Sequence, residues 1–297
     1  MTGAEKGFLL LGSCLGNPDR KPLTTAQLRG LSQRVRQSDA PIADRDLELA
    51  DLAALGYGPE QGRRILALLG EDDLLAHYLH RGKRAGCVPI TWVSDGYPRQ
   101  LKNRLGDDRP AVLWVKGDVH LLERPCVSLV GSRDIARFNR EFAAEAGRQA
   151  ALQGYVLVSG NARGADRIAQ KACLENGGSV ICVVADSLAK QKEQERVLYV
   201  SEEDFDAEFS AMRALSRNRV IHALGEKVLV AQCSLGTGGT WDGTVKNLKN
   251  RWSPVFCCQD DSEAACQLVS LGAAAISSDA LKDLHTLQTN TISFFDQ

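Results

Sequence analysis

The feature that most constrains the fold is an alternation, from residue 126 onward, of short apolar segments with segments of helical spacing. Phe138, Phe142, Ala146 and Ala150 recur every four residues after the first apolar segment, as on one face of a helix. Apolar segments this short, bounded by glycine and polar residues, are typical of strands buried on both faces. They lie at residues 126–130, 155–158, 180–184, 197–200, 228–231, 254–257 and 274–276.

This alternation predicts an α/β fold with a Rossmann-like, mostly parallel sheet and helices on both faces. Residues 1–85 have helical spacing instead, with Thr24 or Thr25 as the N-cap of one helix, and predict a small α-helical N-terminal domain. The Rossmann-like domain is then expected over residues 86–297, with an irregular start that contains one short strand at residues 112–115. Short helices separated by turns either form helix-hairpin-helix arrays that contact DNA or serve only for packing.

Composition limits the partners that this chain can have. Its 36 basic and 37 acidic side chains give a formal net charge of −1, so binding of nucleic acid would need a local basic patch. No apolar run approaches the roughly 18 residues of a membrane span, and no membrane partner is expected. The nine cysteines contain no CxxC pair, which favours reduced thiols and a cytoplasmic location. The spacing of histidines and cysteines predicts no metal site, and no cofactor is expected.

Polar, glycine-rich segments follow several of the predicted strands. Carboxyl ends of parallel strands meet at one edge of a sheet, so these segments should converge on one site. Glycines let backbone N–H groups approach an anion, while arginine side chains and hydroxyl groups can donate to phosphate oxygens. The candidate phosphate-binding residues are Gly131, Ser132, Arg133, Ser159, Gly160, Arg163, Gly164, Asp166, Arg217, Asn218, Arg219, Gly236, Thr237, Gly238, Gly239 and Thr240. A solvated helix start or a tight turn is the alternative interpretation of each segment taken singly.

A series of motifs between residues 92 and 281 resembles the DprA/Smf family of DNA-processing proteins. Tyr97-Pro98 with Leu101 resembles its "YP..L" segment, and residues 130–133 match its "VGSR". Residues 159–166 resemble "SGlA.GiD", and residues 217–221 match "RNRiI". The motifs occur in the family's order and at its spacing.

The resemblance implies a Rossmann-like fold, binding of single-stranded DNA without catalysis, loading of a RecA-type recombinase, and a homodimer, in DNA uptake and recombination. Its phosphate contacts transfer to Gly131, Ser132, Arg133, Ser159, Gly160, Arg163, Asn218 and Arg219. The sequence departs from the family pattern at Asn161, at Ala165, in the loop at residues 235–241, and near residue 170, where a histidine is common. These departures indicate a divergent branch.

Two other functions fit the same residues. The related LOG-like phosphoribohydrolases carry a "PGGxGT.eE" loop that residues 236–240 resemble loosely, which would make the chain a nucleotide-binding protein, a nucleoside-monophosphate hydrolase or a nucleotide sensor. Such a hydrolase needs a carboxylate at the ribose. Asp242 follows the loop where the glutamate is expected, and Asp166 could serve in its place. The third function is a partner-binding module with an inactive site.

Overall fold

The computed structural model describes residues 1–38 and 47–288. In these residues, helices make up the N-terminal part, and strands alternate with helices thereafter. The helices are α1 (Gly3–Gly12), α2 (Thr25–Gln37), α3 (Leu49–Ala54), α4 (Pro59–Leu69), α5 (Asp72–Arg84), α6 (Arg99–Leu105), α7 (Arg137–Leu152), α8 (Ala165–Glu175), α9 (Ala211–Ser216), α10 (Asn218–Leu224), α11 (Gly238–Asn250) and α12 (Glu263–Ser270). The strands are β1 (Val88–Thr91), β2 (Val112–Gly117), β3 (Cys126–Val130), β4 (Val156–Ser159), β5 (Ser179–Val183), β6 (Val197–Ser201), β7 (Lys227–Val230), β8 (Val255–Cys258) and β9 (Ala274–Ile276).

The strands of the described residues form one sheet in the order β1-β2-β6-β5-β4-β3-β7-β8-β9. The strands from β6 to β9 in this order pair in parallel, and only β1 with β2 and β2 with β6 pair antiparallel. From β3 the chain builds outward through β4, β5 and β6, and then crosses back to place β7 on the other side of β3. The strand order therefore reverses between β3 and β7, which is where ligands bind in sheets of this kind. The predicted Rossmann-like α/β fold is confirmed.

Both faces of the sheet are covered because the central strands β3, β4 and β5 are mainly apolar and buried at every position. Val156 and Val158 of β4 join one hydrophobic cluster, whereas Leu157 joins the cluster on the opposite face. Helices α7 and α8 pack closely on one face, and a side chain at Gly147 would collide with the backbone of Ala169. None of the helices in the described ranges is long and apolar enough to cross a membrane.

The segment at residues 86–125 is more regular than the sequence predicts, because it contains β1 and α6 in addition to β2. Pro89 lies within β1 and argues against a strand when the sequence alone is considered. β1 is an edge strand that pairs with β2 only, and proline is tolerated there because one side of the strand needs no N–H donor.

The N-terminal helices are joined to the sheet by packing and by polar contacts. Thr24 is the N-cap of α2, as one of the two predicted candidates. The hydroxyl groups of Ser13 and Tyr78 each donate at 2.6 Å to an aspartate in the segment after β6, namely Asp204 and Asp206. Both hydrophobic clusters contain side chains from the helices and from the sheet. The boundary at residue 85 stays a prediction.

Candidate functional site

A cleft of about 560 Å³ lies at the point where the strand order reverses. Its walls come from the loops after β3 and β7, the start of α8, and the segment from Phe209 to His222. The sequence-predicted residues that line it are Gly131, Ser132, Arg133, Asp166, Arg217, Asn218, Thr237, Gly238, Gly239 and Thr240. The convergence expected from the parallel strands is therefore present.

Hydrogen bonds tie the loops around the cleft to one another. Arg217 donates to the carbonyl of Gly160 at 3.0 Å and to Oδ1 of Asn218 at 2.9 Å, and Asn218 donates to the carbonyl of Gly239 at 2.9 Å. The hydroxyl of Thr240 donates to the carbonyl of Gly131 at 3.1 Å. A site held by such bonds is already ordered before a ligand arrives, which reduces the entropy cost of binding.

Asp166 and Arg217 form the buried layer beneath the loop after β4. The carboxylate of Asp166 accepts from the backbone N–H groups of Gly160 at 3.0 Å and Ala162 at 3.2 Å. Burial raises the pKa of Asp166, and the charge of Arg217 opposes this rise. Burial likewise lowers the pKa of Arg217, which Asp166 opposes. These two side chains hold the loop in shape.

Two positions of this loop must be glycine, because neighbouring atoms lie too close to leave room for a side chain. A side chain at Gly160 would occupy the position of the Arg217 guanidinium. Gly164 has φ of +80°, and a Cβ there would collide with the carbonyl oxygens of Ser132 and Arg133. Both glycines therefore serve loop packing, and neither lines the cleft.

Arg133 is the exposed cation of the cleft. Within residues 1–38 and 47–288 it has no carboxylate in ion-pair range, whereas the neighbouring Arg163 pairs with Asp134 at 3.4 Å. The hydroxyl of Ser132 donates to the Asp134 carbonyl at 2.7 Å and thereby shapes the turn that carries Arg133. The guanidinium is consequently available to an anion.

The N-terminus of α11 faces the same cleft. Helix α11 begins at Gly238, and its N-cap residue, Thr237, makes no side-chain cap hydrogen bond. The first N–H groups of a helix lack intrahelical acceptors and carry the positive end of the helix dipole. Gly238 has φ of +86° with open space around it, so the backbone at this turn is accessible. An anion in the cleft can thus meet both Arg133 and backbone donors.

His222 forms part of the cleft floor and was missed by the sequence reasoning. The side chain is buried; its Nδ1 lies 3.1 Å from Nδ2 of Asn247, and Nε2 has no partner among the described residues. Burial, and then the charge of Arg217, lower the pKa of His222 to about 3. The imidazole is neutral at physiological pH, so it adds a polar group and no charge.

An apolar wall of the same cleft was also missed. It consists of Phe209, Ala211, Ala214 and Leu215, of which Phe209 is 57% exposed and Leu215 48% exposed. Large apolar side chains in a segment rich in charged residues were the signal available in the sequence. An apolar surface beside a site for anions suits a ligand that is flat and apolar in one part and charged in another.

Several predicted residues lie outside the cleft. Ser159 is buried, and its hydroxyl accepts from Gln170 at 2.5 Å. Arg219 pairs with the buried carboxylate of Glu202 at 2.8 Å. Asp242 does not line the cleft either, and the lining carboxylates there are Asp134 and Asp166. The residues not brought to the cleft are Ser159, Gly160, Arg163, Gly164, Arg219 and Gly236.

Comparison with known proteins gives consistent matches. The family model described as DNA recombination-mediator protein A matches residues 89–285. The DNA processing protein DprA of Streptococcus pneumoniae is 30% identical over 206 residues, covering 66% of this chain and 70% of that protein. A crystal structure of DprA from the same species superposes with a TM-score of 0.72 at 25% identity, over 95% of this chain and 96% of that one.

A structure of DNA processing protein A from Helicobacter pylori, reported for its single-stranded DNA binding mode, has a TM-score of 0.55 at 24% identity. It covers 66% of this chain and 94% of its own, and this likeness concerns the fold alone. The family model spans most of the described sheet and the loops that form the cleft. The chain belongs to the DNA recombination-mediator protein A family, the DprA/Smf proteins.

Proposed function

We propose that this protein binds single-stranded DNA at the cleft between β3 and β7, as a binding protein without catalysis that acts in DNA uptake and recombination. The observation that carries the proposal is that Arg133, which has no carboxylate partner in the described part of the chain, the uncapped N-terminus of α11 and the apolar wall all line one cleft. Phosphates would be held by Arg133 and the N-terminus of α11, and bases would stack on the apolar wall.

The apolar wall favours a single strand over a duplex. In a duplex the base faces are stacked on one another, whereas in a single strand they can stack on protein side chains. Phe209 offers such a side chain at the cleft, and exposed Leu215 extends the surface. Binding of this kind is expected to tolerate any sequence, because every base has a face that can stack. Family membership supports the same function.

The competing hydrolase function is less well supported. Asp166 already accepts two backbone N–H groups, and Asp134 takes part in the turn with Ser132 and pairs with Arg163. The Asp166 carboxylate is therefore engaged by the loop, and the exposed Asp134 carboxylate lies 3.4 Å from the Arg163 guanidinium. If the protein were such a hydrolase, incubation with nucleoside monophosphates would release free base.

Arg133→Ala tests the proposed site by fluorescence anisotropy with labelled oligo-dT at several salt concentrations. We expect wild-type affinity to fall with salt, with a log–log slope of about −0.7 for each neutralised phosphate. Loss of one charge-assisted phosphate contact should weaken binding roughly 10- to 100-fold.

Arg137→Ala is the matched control, because Arg137 is four residues away, exposed, and paired with Glu141 outside the cleft. It should keep wild-type affinity. Equal affinity of wild type and Arg133→Ala for oligo-dT, or binding insensitive to salt, would show that the cleft is not the DNA site.

We further propose that the protein is a homodimer in the cytoplasm and that it assists a RecA-type recombinase. Family membership supports both. Light scattering should give twice the chain mass of 32.2 kDa. Recombinase filaments should form faster on single-stranded DNA when the protein is present, and no acceleration would argue against the recombinase partner.

A further inference from the structure

A second, smaller pocket lies on the other side of the loop after β4. It measures about 260 Å³ and is formed by α8, the strands β5 and β6, and the segment at residues 190–194. Asn161 lines this pocket, and the next residue, Ala162, lines the main cleft. The two cavities thus flank one turn of chain, since consecutive Cα atoms lie about 3.8 Å apart.

The pocket is lined by two cationic side chains that lack a carboxylate partner in the described part of the chain. Arg167 and Lys192 line it, and within the described ranges neither is in ion-pair range of an acidic group. Lys190 also lines it but pairs with Glu208 at 2.7 Å. Both side chains are exposed, and an anion held in the pocket would be attracted to each of them.

Neutral hydrogen-bonding groups complete the lining. Tyr199 has its aromatic ring buried between the strands and α8, and burial raises the pKa of its hydroxyl, which Arg167 opposes. The same guanidinium opposes the rise that burial causes in the pKa of Cys182. Arg167, Tyr199 and Cys182 all line the pocket. The amides of Gln170 and Gln194 also line the pocket.

We propose that the Arg167–Lys192 pocket is a second phosphate subsite, which binds the backbone of the DNA strand where it leaves the main cleft over the turn at Asn161. A cavity lined by arginine, lysine, hydroxyl and amide groups donates many hydrogen bonds, as phosphate oxygens require. Its small volume suits a phosphate with part of a sugar, and its accessible lining is mainly polar. This inference rests on the proposed function.

The subsite predicts that affinity depends on strand length. A labelled short oligo-dT of about 2 nucleotides would occupy the main cleft only, whereas a long one of about 16 nucleotides would reach both cavities. Arg167→Ala/Lys192→Ala should weaken binding of the long strand roughly tenfold or more and reduce its salt slope by about 0.7 to 1.4. Affinity for the short strand should be unchanged.

Lys171→Ala/Lys246→Ala is the control that removes the same charge. Lys171 lies one turn further along α8 with its ammonium 3.7 Å from Glu175, Lys246 is exposed on α11, and neither lines the main cleft or the Arg167–Lys192 pocket. The inference is overturned if this control weakens long-strand binding equally, if the pocket variant binds the long strand as wild type does, or if it loses short and long strands alike. Arg133→Ala, measured in parallel, distinguishes failure of this inference from failure of the proposed function. If the main cleft is not the DNA site, Arg133→Ala will bind the short strand as wild type does.

Discussion

His222→Gln tests whether the cleft floor holds a neutral, buried imidazole. The pKa of His222 is about 3 in the folded protein, against an ordinary value of 6.5. Below pH 6.5 the His222 imidazole is protonated in the unfolded chain, whereas in the folded protein it stays neutral. The stability associated with this residue is therefore fully present above pH 6.5 and declines as the pH falls towards 3.

The size of the effect follows from the same two values. Each unit of pKa difference corresponds to about 1.4 kcal/mol, so the full difference approaches roughly 5 kcal/mol in strongly acidic solution. Between about pH 7 and about pH 5 the loss should be about 2 kcal/mol, because protonation of the unfolded chain is incomplete in this interval. Glutamine has no titrating group and can still bond to Asn247, so the variant should lack this loss.

Urea unfolding at a series of pH values measures the free energy of unfolding of both proteins. Other groups titrate equally in wild type and variant, so the difference between the two curves isolates His222. His77→Gln is the control, since that side chain is exposed on α5, and its curve should run parallel to wild type. If the His222→Gln curve also runs parallel to wild type, the imidazole is not buried in the neutral form.

Two further substitutions test the loops around the cleft. Gly164→Ala should lower the free energy of unfolding by roughly 2–4 kcal/mol in urea, because the cost of a positive φ adds to the collision with two backbone carbonyls. Gly236 has φ of +68° but open space around it, so Gly236→Ala should lower the free energy of unfolding by only about 1 kcal/mol. Similar losses in the two variants would contradict this. Arg219→Ala should lower the free energy of unfolding by about 3–5 kcal/mol by leaving buried Glu202 unpaired, and adding Glu202→Gln should restore part of it. A stable Arg219→Ala variant with weakened DNA binding would place Arg219 at the DNA instead.

The positions of the strands and the location of the cleft could be predicted from the sequence. Residues 228–231 are apolar at every position and residues 126–130 at every position except Ser128, a pattern typical of a strand covered on both faces. Parallel pairing then brings the loops that follow them to one edge. The strand at residues 88–91 was not predictable, because Pro89 is acceptable only at an edge and edges are defined by the whole sheet.

The roles of individual polar residues were decided by tertiary structure. Arg133 and Arg219 both lie in motifs suited to phosphate. Arg219 forms an ion pair with Glu202 from another part of the chain, whereas Arg133 has no carboxylate partner in the described residues. Gly160 likewise accommodates Arg217, which lies 57 positions further along the chain. Local sequence determines which backbone shapes are allowed and which segments are apolar. Whether a charge is free or paired depends on contacts between distant segments, and these exist only once the sheet has assembled.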